Sequence, residues 1–410
     1  MLLRPSVIGN HRLHGNDLSK KGKRVESIDL LRGIVMIIMA IDHVRDYFHK
    51  DAFIYSPTDL EQTNVPLFFT RWITHFCAPV FILLAGISAY LYGNKKGIKE
   101  LSFFLWTRGL WLIFVELFIL SLFRTFNPTF HYFNLQVIWV IGLSMIILSV
   151  IIRLSLGWLL SIGFLLVGAH NLLDSVHFPS HNFLSFLWSL LHNMDRFTFG
   201  GFDFFVHYPL LPWLGVMILG YSIGSLYAPA FDATRRKRIL FIVGLSSIVL
   251  FVLLRVGSFY GDPSPWAIQK SSAFSFMSFI NVTKYPPSLL YVLVTLGPAC
   301  LFLALTERPL NKWTARISIF GRVAMFYYLA HILLIHLGAV IGALIQGYPA
   351  SDMVLSTSVD ASPQLKGFGF ALPAVYLVWA MLILILYPLC KWFDKYKRAN
   401  VQQYRWLSYL

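Results

Sequence analysis

The most regular feature of the chain is a succession of long apolar runs separated by short polar connections. Each run approaches the roughly 20 residues that a helix needs to cross the hydrocarbon layer of a membrane. The pattern therefore predicts an all-α membrane protein, a polytopic bundle of about ten transmembrane helices. Their predicted limits are 28–48, 67–92, 101–123, 134–152, 156–173, 207–228, 237–257, 285–306, 316–341 and 370–391.

The composition agrees with this membrane assignment. Hydrophobic residues make up 57% of the 410 residues, whereas soluble domains contain roughly 45 to 50%. The three cysteines, Cys77, Cys300 and Cys390, are far apart and lie in or beside apolar runs. A disulfide framework or a cysteine metal cluster is therefore not expected.

The net charge of +15 is concentrated in alternate connections between the apolar runs. The remaining connections hold most of the acidic residues, which is the positive-inside pattern of membrane proteins. Both termini are therefore predicted to be cytoplasmic, and no nucleic acid is needed to explain the charge. The basic connections contain Lys20, Lys21, Lys23, Arg24, Lys95, Lys96, Lys99, Arg235, Arg236, Lys237, Arg238, Arg308, Lys312, Arg316, Lys391, Lys395, Lys397 and Arg398.

The chain shows no internal repeat, linker or glycine-rich phosphate loop that would mark a second domain. Residues 25–395 are therefore predicted to form one transmembrane domain. Residues 1–24 are expected to be a flexible basic cytoplasmic tail, and residues 396–410 a cytoplasmic C-terminal tail.

The first predicted helix carries ionisable residues inside an apolar segment. Arg32 and His43 are eleven positions apart, so they share one helix face and lie about 16 Å apart along the axis. Asp46 is nearly in line with His43, and Asp42 is adjacent to it. A carboxylate could orient the imidazole and stabilise its protonated form, as a general base requires. The alternative is that these groups only solvate the outer end of the helix.

Two further predicted helices carry arginine and histidine. Arg71 and His75 lie one turn apart on the second helix and could bind an acceptor or an oxyanion, or could pair with Asp42 or Asp46 in one network. On the helix predicted at 316–341, Arg322 and His336 repeat the inner-arginine, outer-histidine arrangement, and His331 is expected on the opposite side. A snorkelling Arg322 is the alternative.

The outer connection at 174–206 is unusually apolar and is expected to lie on or dip into the membrane mouth. It could form a lid or an acceptor site, or an interfacial aromatic belt. His177 and His181 have a spacing of four residues, but Pro179 lies between them and no third metal ligand is evident. No metal site is predicted.

Several segments resemble a known family. They are Ser27–Gly33 and Asp42–Phe48 of the first helix, Pro57–Leu60, Phe68–Pro79, Tyr285–Leu290, and Gly321 through His331. Together they resemble the bacterial members of the heparan-alpha-glucosaminide N-acetyltransferase catalytic-domain family, over residues 27 to about 336. The arginine-then-histidine spacing is also similar to that of the acyltransferase 3 family.

This resemblance implies an integral membrane acyltransferase in the bacterial plasma (inner) membrane. It implies cytoplasmic acetyl-CoA or another acyl-CoA as co-substrate, no metal, and transfer to a hydroxyl or amine of a glycan or glycolipid acceptor outside. His43 would be the base or acyl relay, oriented by Asp46 or Asp42. Arg32 and Arg322 would lie on the acyl-CoA side, and Arg71, His75, His336 and His49 are the candidates for the acceptor side or the oxyanion.

One departure from the family leaves the base open between two histidines. The lysosomal relatives are expected to have an asparagine where His43 stands and their reactive histidine after the helix, where this chain has His49. The depth of His43 and its acidic neighbours favour His43. The chemistry would need a tunnel that links His43 to the inner leaflet.

Two other classes of function fit the same residues. A transporter or flippase would also need a polar path through the bundle, although no inverted repeat is evident. A non-catalytic membrane protein would use the polar groups only to hold its helices together. The lipid bilayer is a partner in every case, and a homodimer is allowed.

Overall fold

The protein is described by a computed structural model that covers residues 25–178 and 182–410. The tail predicted at 1–24 lies outside the described residues. The described chain is mostly helical. Its helices are α1 Glu26–Phe48, α2 Val65–Trp72, α3 Cys77–Lys96, α4 Ile98–Phe114, α5 Ser121–Thr125, α6 Val137–Ile151, α7 Leu156–Ala169, α8 Phe183–Leu191, α9 Leu210–Gly224, α10 Ala233–Gly257, α11 Ser272–Ile280, α12 Leu289–Leu305, α13 Lys312–Arg322, α14 Ala324–Ile345 and α15 Leu372–Asn400.

Seven helical stretches in the described part are long and apolar enough to cross a membrane. Two of them join shorter helices: α2 and α3 form Val65–Lys96, and α4 and α5 form Ile98–Thr125. The other five are Leu156–Leu173, Leu210–Tyr227, Ala233–Gly257, Ala324–Ile345 and Leu372–Asn400.

The remaining predicted spans are helical but differ in character. α6 and α12 are apolar and shorter, with 15 and 17 residues. α1 has 23 residues and is set apart by its charged residues Glu26, Asp29, Arg32, Asp42, Arg45 and Asp46. The structure confirms a mostly helical, polytopic membrane protein. The number of ten spans and the cytoplasmic position of both termini stay predictions.

α1 lies at the centre of the fold, with contacts to α3, α13, α14 and α15. Its charges are tolerated because most of its length is covered by protein. Small residues allow the closest of these contacts. Gly33 of α1 lies against the backbone of Ile317 in α13, and Gly321 of α13 lies against the backbone of Asp29 in α1.

The prediction of one continuous helix over 316–341 is wrong. α13 ends at Arg322 and α14 begins at Ala324, because Val323 has a non-helical backbone with φ −123° and ψ 39°. Arg322 and His336 therefore belong to different helices. The prediction that their side chains share one face of a helix is therefore wrong.

The described chain also contains three short strands that the sequence analysis did not predict. They are β1 Tyr132–Leu135, β2 Asp195–Phe199 and β3 Phe202–Val206. β2 and β3 form an antiparallel hairpin, and β1 pairs with β3 in parallel. Gly200 and Gly201 connect the hairpin strands with φ angles of 56° and 83°, a left-handed geometry that favours glycine in two-residue turns. The predicted outer connection 174–206 thus has structure of its own.

The C-terminal segment packs on the bundle. α15 continues through the domain boundary predicted at residue 396. Beyond it, Leu407 is buried, and the carbonyl oxygen of Ser408 accepts a 2.7 Å hydrogen bond from Arg108 of α4. The described part of this predicted tail is therefore anchored to the bundle, while its cytoplasmic position stays a prediction.

Candidate active site

A cavity of about 560 Å³ lies at the C-terminal end of α1. It is formed where α1, α2 and α3 meet the strands and the connections that follow α11 and α14. The ionisable residues that line it are Asp42, His43, Arg45, Asp46, Tyr47, His49, Asp51, Tyr55, Arg71, Cys77, Arg124, Tyr132, Arg196, His207, Tyr208, Lys284, Tyr285, Tyr328 and Asp360.

The two carboxylates next to His43 bind arginines. Asp42 forms one ion pair with Arg71 of α2 and a second with Arg45, whose Nη2 lies 2.9 Å from Asp42 Oδ1. Asp46 also pairs with Arg45. The structure therefore joins α1 and α2 in one ionic network. The pairing of Arg71 with Asp42 was one of the two alternatives that the sequence left open. Buried charges in such a network stabilise one another only while the partners remain.

His43 is half-buried and lines the cavity. Its ring centroid lies 5.2 Å from that of His331 and 6.3 Å from that of Tyr328, both on α14. In the described part of the chain no hydrogen bond joins His43 to Asp42 or Asp46, because permanently charged arginines occupy both carboxylates. The orienting role of these carboxylates stays a prediction.

His49, the other candidate base, lines the same cavity. It lies just beyond α1, where its Nδ1 accepts a 3.3 Å hydrogen bond from the backbone N–H of Asp51. Its Nε2 lies 4.0 Å from Asp51 Oδ2. Burial lowers the pKa of His49 below its usual value, which favours the neutral ring that a base needs. Both candidates thus face one space.

His75 and His336 are absent from the residues that line this cavity. His75 lies in the 3-10 turn Ile73–Phe76, and its carbonyl oxygen accepts a 2.7 Å hydrogen bond from the Tyr291 hydroxyl. His336 has its ring nitrogens 2.9 Å from the carbonyl oxygens of Phe123 and Met353. These contacts are structural, and the predicted acceptor-side roles of both histidines stay predictions.

The relative positions of His331 and His336 differ from the expectation. The sequence analysis placed His336 on the functional face and His331 opposite it. In the structure His331 lies beside His43, while His336 stacks on Phe126 with 3.8 Å between ring centroids. His336 was predicted to share a helix face with Arg322. Because the helix breaks at Val323, that prediction no longer applies.

Arg32 and Arg322 lie outside the cavity lining in the described residues. Arg32 donates to Ser88 Oγ at 2.9 Å and to the carbonyl oxygen of Gly321 at 3.3 Å. Arg322 pairs with Asp394, with 2.9 Å between Nη2 and Oδ2. Their predicted role toward acyl-CoA stays a prediction.

The cavity does not extend along α1 to Arg32. Met39 is the α1 residue of its lining that lies nearest to Arg32 in sequence. Seven residues of helix correspond to about 10 Å. In the described part of the chain, the lining of this cavity therefore does not provide the continuous tunnel that the sequence analysis expected.

Sequence reasoning missed the residues that the later elements bring to the cavity. Lys284 and Tyr285 come from the connection between α11 and α12, and His207 and Tyr208 from the segment before α9. The Tyr285 and Tyr208 hydroxyls are 3.4 Å apart, and the rings of Tyr285 and His207 have centroids 4.1 Å apart. A single chain gives no spacing signal for contacts between such distant segments.

The electrostatics of this side of the cavity are dominated by positive charge. Burial, together with the charge of Lys284, lowers the pKa of His207 to about 3. Burial acts to raise the pKa of Tyr285, but the charges of Lys284 and Arg71 outweigh it, so the pKa lies below its usual value. Developing negative charge on a substrate would be stabilised in such surroundings.

The fold and site define an integral membrane protein with a half-buried histidine beside a charged cavity. The family described as heparan-alpha-glucosaminide N-acetyltransferase, catalytic, matches residues 24–257. The chain belongs to this family, and the predicted resemblance is confirmed over that span. It is thereby a membrane protein of an acetyltransferase family. The resemblance had been expected to extend to about residue 336, and the residues beyond 257 lie outside the match.

A comparison with curated proteins finds no match. Among the described residues, no group of three or more His, Cys, Asp or Glu side chains is placed to hold a metal ion. That no metal takes part in the reaction stays a prediction.

Proposed function

We propose that the protein transfers an acetyl or other short acyl group from acyl-CoA to a hydroxyl or amine of a sugar-containing acceptor. The observation that carries this proposal is the placement of His43 in a sizeable cavity, in a chain that belongs to an acetyltransferase family. Family membership favours acyl transfer over the transport alternative.

His43 would act as the general base in this reaction. Its imidazole accepts the proton of the acceptor O–H or N–H while the acceptor atom attacks the thioester carbonyl carbon. The tetrahedral oxyanion then collapses, the C–S bond breaks, and the CoA sulfur leaves as a thiolate that takes up the proton. In the covalent alternative, the imidazole nitrogen itself accepts the acyl group and passes it to the acceptor.

The surrounding residues would support each step. The Asp42–Arg71 pair fixes α2 against α1 and positions the Arg71 guanidinium at the cavity wall. His331 and Tyr328 limit the orientations available to the His43 ring. Fixed charges of this kind stabilise an oxyanion because they need no reorganisation when it forms.

The donor would reach His43 from the side of Arg32. The cavity ends near Met39, about 10 Å from Arg32 along α1, so the pantetheine arm of CoA would need the helices beside α1 to separate over that length. Arg32 and Arg322 would then meet the CoA phosphates on the cytoplasmic side of the bacterial inner membrane. The glycan or glycolipid acceptor would enter from the outer side.

The proposal is tested with purified protein in nanodiscs supplied with acetyl-CoA, labelled in the acetyl group, and glucosamine. We expect free CoA thiol to appear in equal amount with acetylated sugar. Movement of sugar across proteoliposomes without consumption of thioester would contradict the proposal and support transport.

A further inference from the structure

Lys284 is a buried cation in the cavity wall. Its side chain belongs to the connection between α11 and α12 and is 9% exposed. Its Nζ lies 5.1 Å from the ring centroid of Tyr285. Within residues 25–178 and 182–410, no carboxylate lies at ion-pair distance from it. The side chain is mostly buried, but its ammonium is accessible to the cavity and has no counter-ion among the described residues, so an anionic group that enters the cavity could pair with it.

The neighbouring acids are already occupied. Asp42 contacts Arg71 and Arg45, and Asp46 contacts Arg45. Deep in the cavity, three cations, Arg45, Arg71 and Lys284, therefore face two carboxylates. The interior carries one positive charge in excess.

Over the whole lining Asp51 offsets this excess in number, but among the described residues it forms no ion pair with Lys284, so the excess stays local to the wall that holds Lys284. Arg124 is neutralised by buried Glu116. Asp51 accepts a hydrogen bond from Tyr55 and lies beside His49. Asp360 and Arg196 are exposed at the cavity edge, and their opposite charges balance one another.

Hydrogen-bonding groups lie next to Lys284. The Tyr285 hydroxyl is 3.4 Å from that of Tyr208. Both ring nitrogens of His207 are buried and, among the described residues, have no hydrogen-bond partner. His207 also lies against Tyr285 and lines the cavity. Lys284, Tyr285 and His207 thus combine a positive charge with polar groups on one wall.

We propose that Lys284, Tyr285 and His207 form a subsite for an anionic group, a carboxylate, sulfate or phosphate, carried by the sugar acceptor. Lys284 supplies the counter-charge, and Tyr285 and His207 supply hydrogen bonds. Lys284 and Tyr285 lie outside the residues that the family model matches. This proposal depends on the proposed function in one respect only: the bound sugar is called an acceptor because acyl transfer to it is proposed.

The test measures binding and needs no turnover. The unfolding temperature of the purified protein is followed against increasing glucuronate or glucose 6-sulfate, with glucose as the neutral sugar of matched size and inorganic sulfate as the free anion, all at constant ionic strength. We expect glucuronate to stabilise the wild type and glucose to have no effect at the same concentrations. Lys284→Met should weaken glucuronate binding about tenfold or more, the range for a lost hydrogen bond to a charged group.

Two matched variants complete the experiment. Lys284→Arg keeps the charge and should retain most of the binding, and Lys237→Met removes an exposed charge of α10 and should bind as the wild type. Equal stabilisation by glucose and glucuronate in the wild type would overturn the proposal, even if Lys284→Met fails to fold. Stabilisation by inorganic sulfate but by neither glucuronate nor glucose 6-sulfate would also overturn it, because the site would then bind a free anion and not an anionic sugar. If glucuronate binds as expected but no acyl transfer is detected, the result would contradict the proposed function and leave the anion subsite standing.

Discussion

Charged residues on α1 are held mainly by arginines of the same network. Arg45 bridges Asp42 and Asp46, and Arg71 reaches Asp42 from α2. Removing one partner of a buried pair leaves an uncompensated charge, which typically costs 3 to 5 kcal/mol. The network therefore fixes the geometry around His43 more than it adds net stability.

At the residue scale we expect His207 to make the protein less stable in acid. Its pKa of about 3 in the folded protein lies below the usual value of 6.5, so the unfolded chain binds a proton that the folded chain does not. Stability should therefore fall as the pH drops from about 6.5 towards 3, by at most about 1.4 kcal/mol per pH unit from this residue. The unfolding temperature in detergent at pH 7 and pH 5 measures the effect.

His207→Phe supplies the comparison for this prediction. The phenylalanine ring keeps most of the packing and cannot be protonated, so its unfolding temperature should fall less between pH 7 and pH 5 than that of the wild type. An equal fall in both proteins would contradict the assignment.

Sequence predicted the residues of the site that share an element or a nearby turn. Asp42, His43 and Asp46 follow from helical spacing on α1, and the ion pair of Arg71 with Asp42 is one of the two alternatives that the sequence left open for Arg71. Lys284 and His207 could not be predicted, because they reach the cavity from segments more than 100 residues away from α1. Their position at the cavity depends on tertiary packing, which the spacing of residues along one helix or strand does not show.

At the scale of elements, close crossings between helices depend on glycine. A Cβ at Gly321 would overlap the backbone of Asp29 and Gly33, because α13 lies directly against α1. Gly321→Ala should therefore force the helices apart and cost about 1 to 3 kcal/mol. The unfolding temperature of the variant in detergent measures this loss.

Gly168 of α7 is the matched control for this substitution. Apart from its two chain neighbours and the backbone of α7 itself, no atom of the described residues lies within 4 Å of a Cβ placed there. Because alanine favours a helix over glycine by up to about 1 kcal/mol, Gly168→Ala should leave the unfolding temperature unchanged or raise it. A loss at Gly168 as large as that at Gly321 would contradict the packing argument.

The helices were predictable where the length of an apolar run is enough to indicate a membrane span. Each of the ten predicted runs overlaps a helix. The break at Val323 was missed because Arg322-Val323-Ala324 contains no proline or glycine to mark it. The strands were missed because β1 and β3 are paired across about 70 residues, and each is too short to show a clear period.

At the scale of the whole molecule, the cavity lies where the charged end of α1 meets three later parts of the chain. The strands contribute Arg196 and Phe205, the connection before α12 contributes Lys284, and the segment after α14 contributes Asp360. The family match ends at residue 257. The matched part therefore contains His43, its ionic network and the strands, and the remainder contributes Lys284, Tyr285, Tyr328 and Asp360 to the lining.

The most direct test of this account is the rate of acetyl transfer by His43→Gln. Glutamine keeps a polar side chain but cannot act as a base at neutral pH, so the account predicts a loss of about 100-fold or more in a variant with the elution volume and unfolding temperature of the wild type. His177→Gln, in an exposed part of the connection between α7 and α8, should keep the wild-type rate. A folded His43→Gln protein that transfers acetyl groups as fast as the wild type would contradict the account.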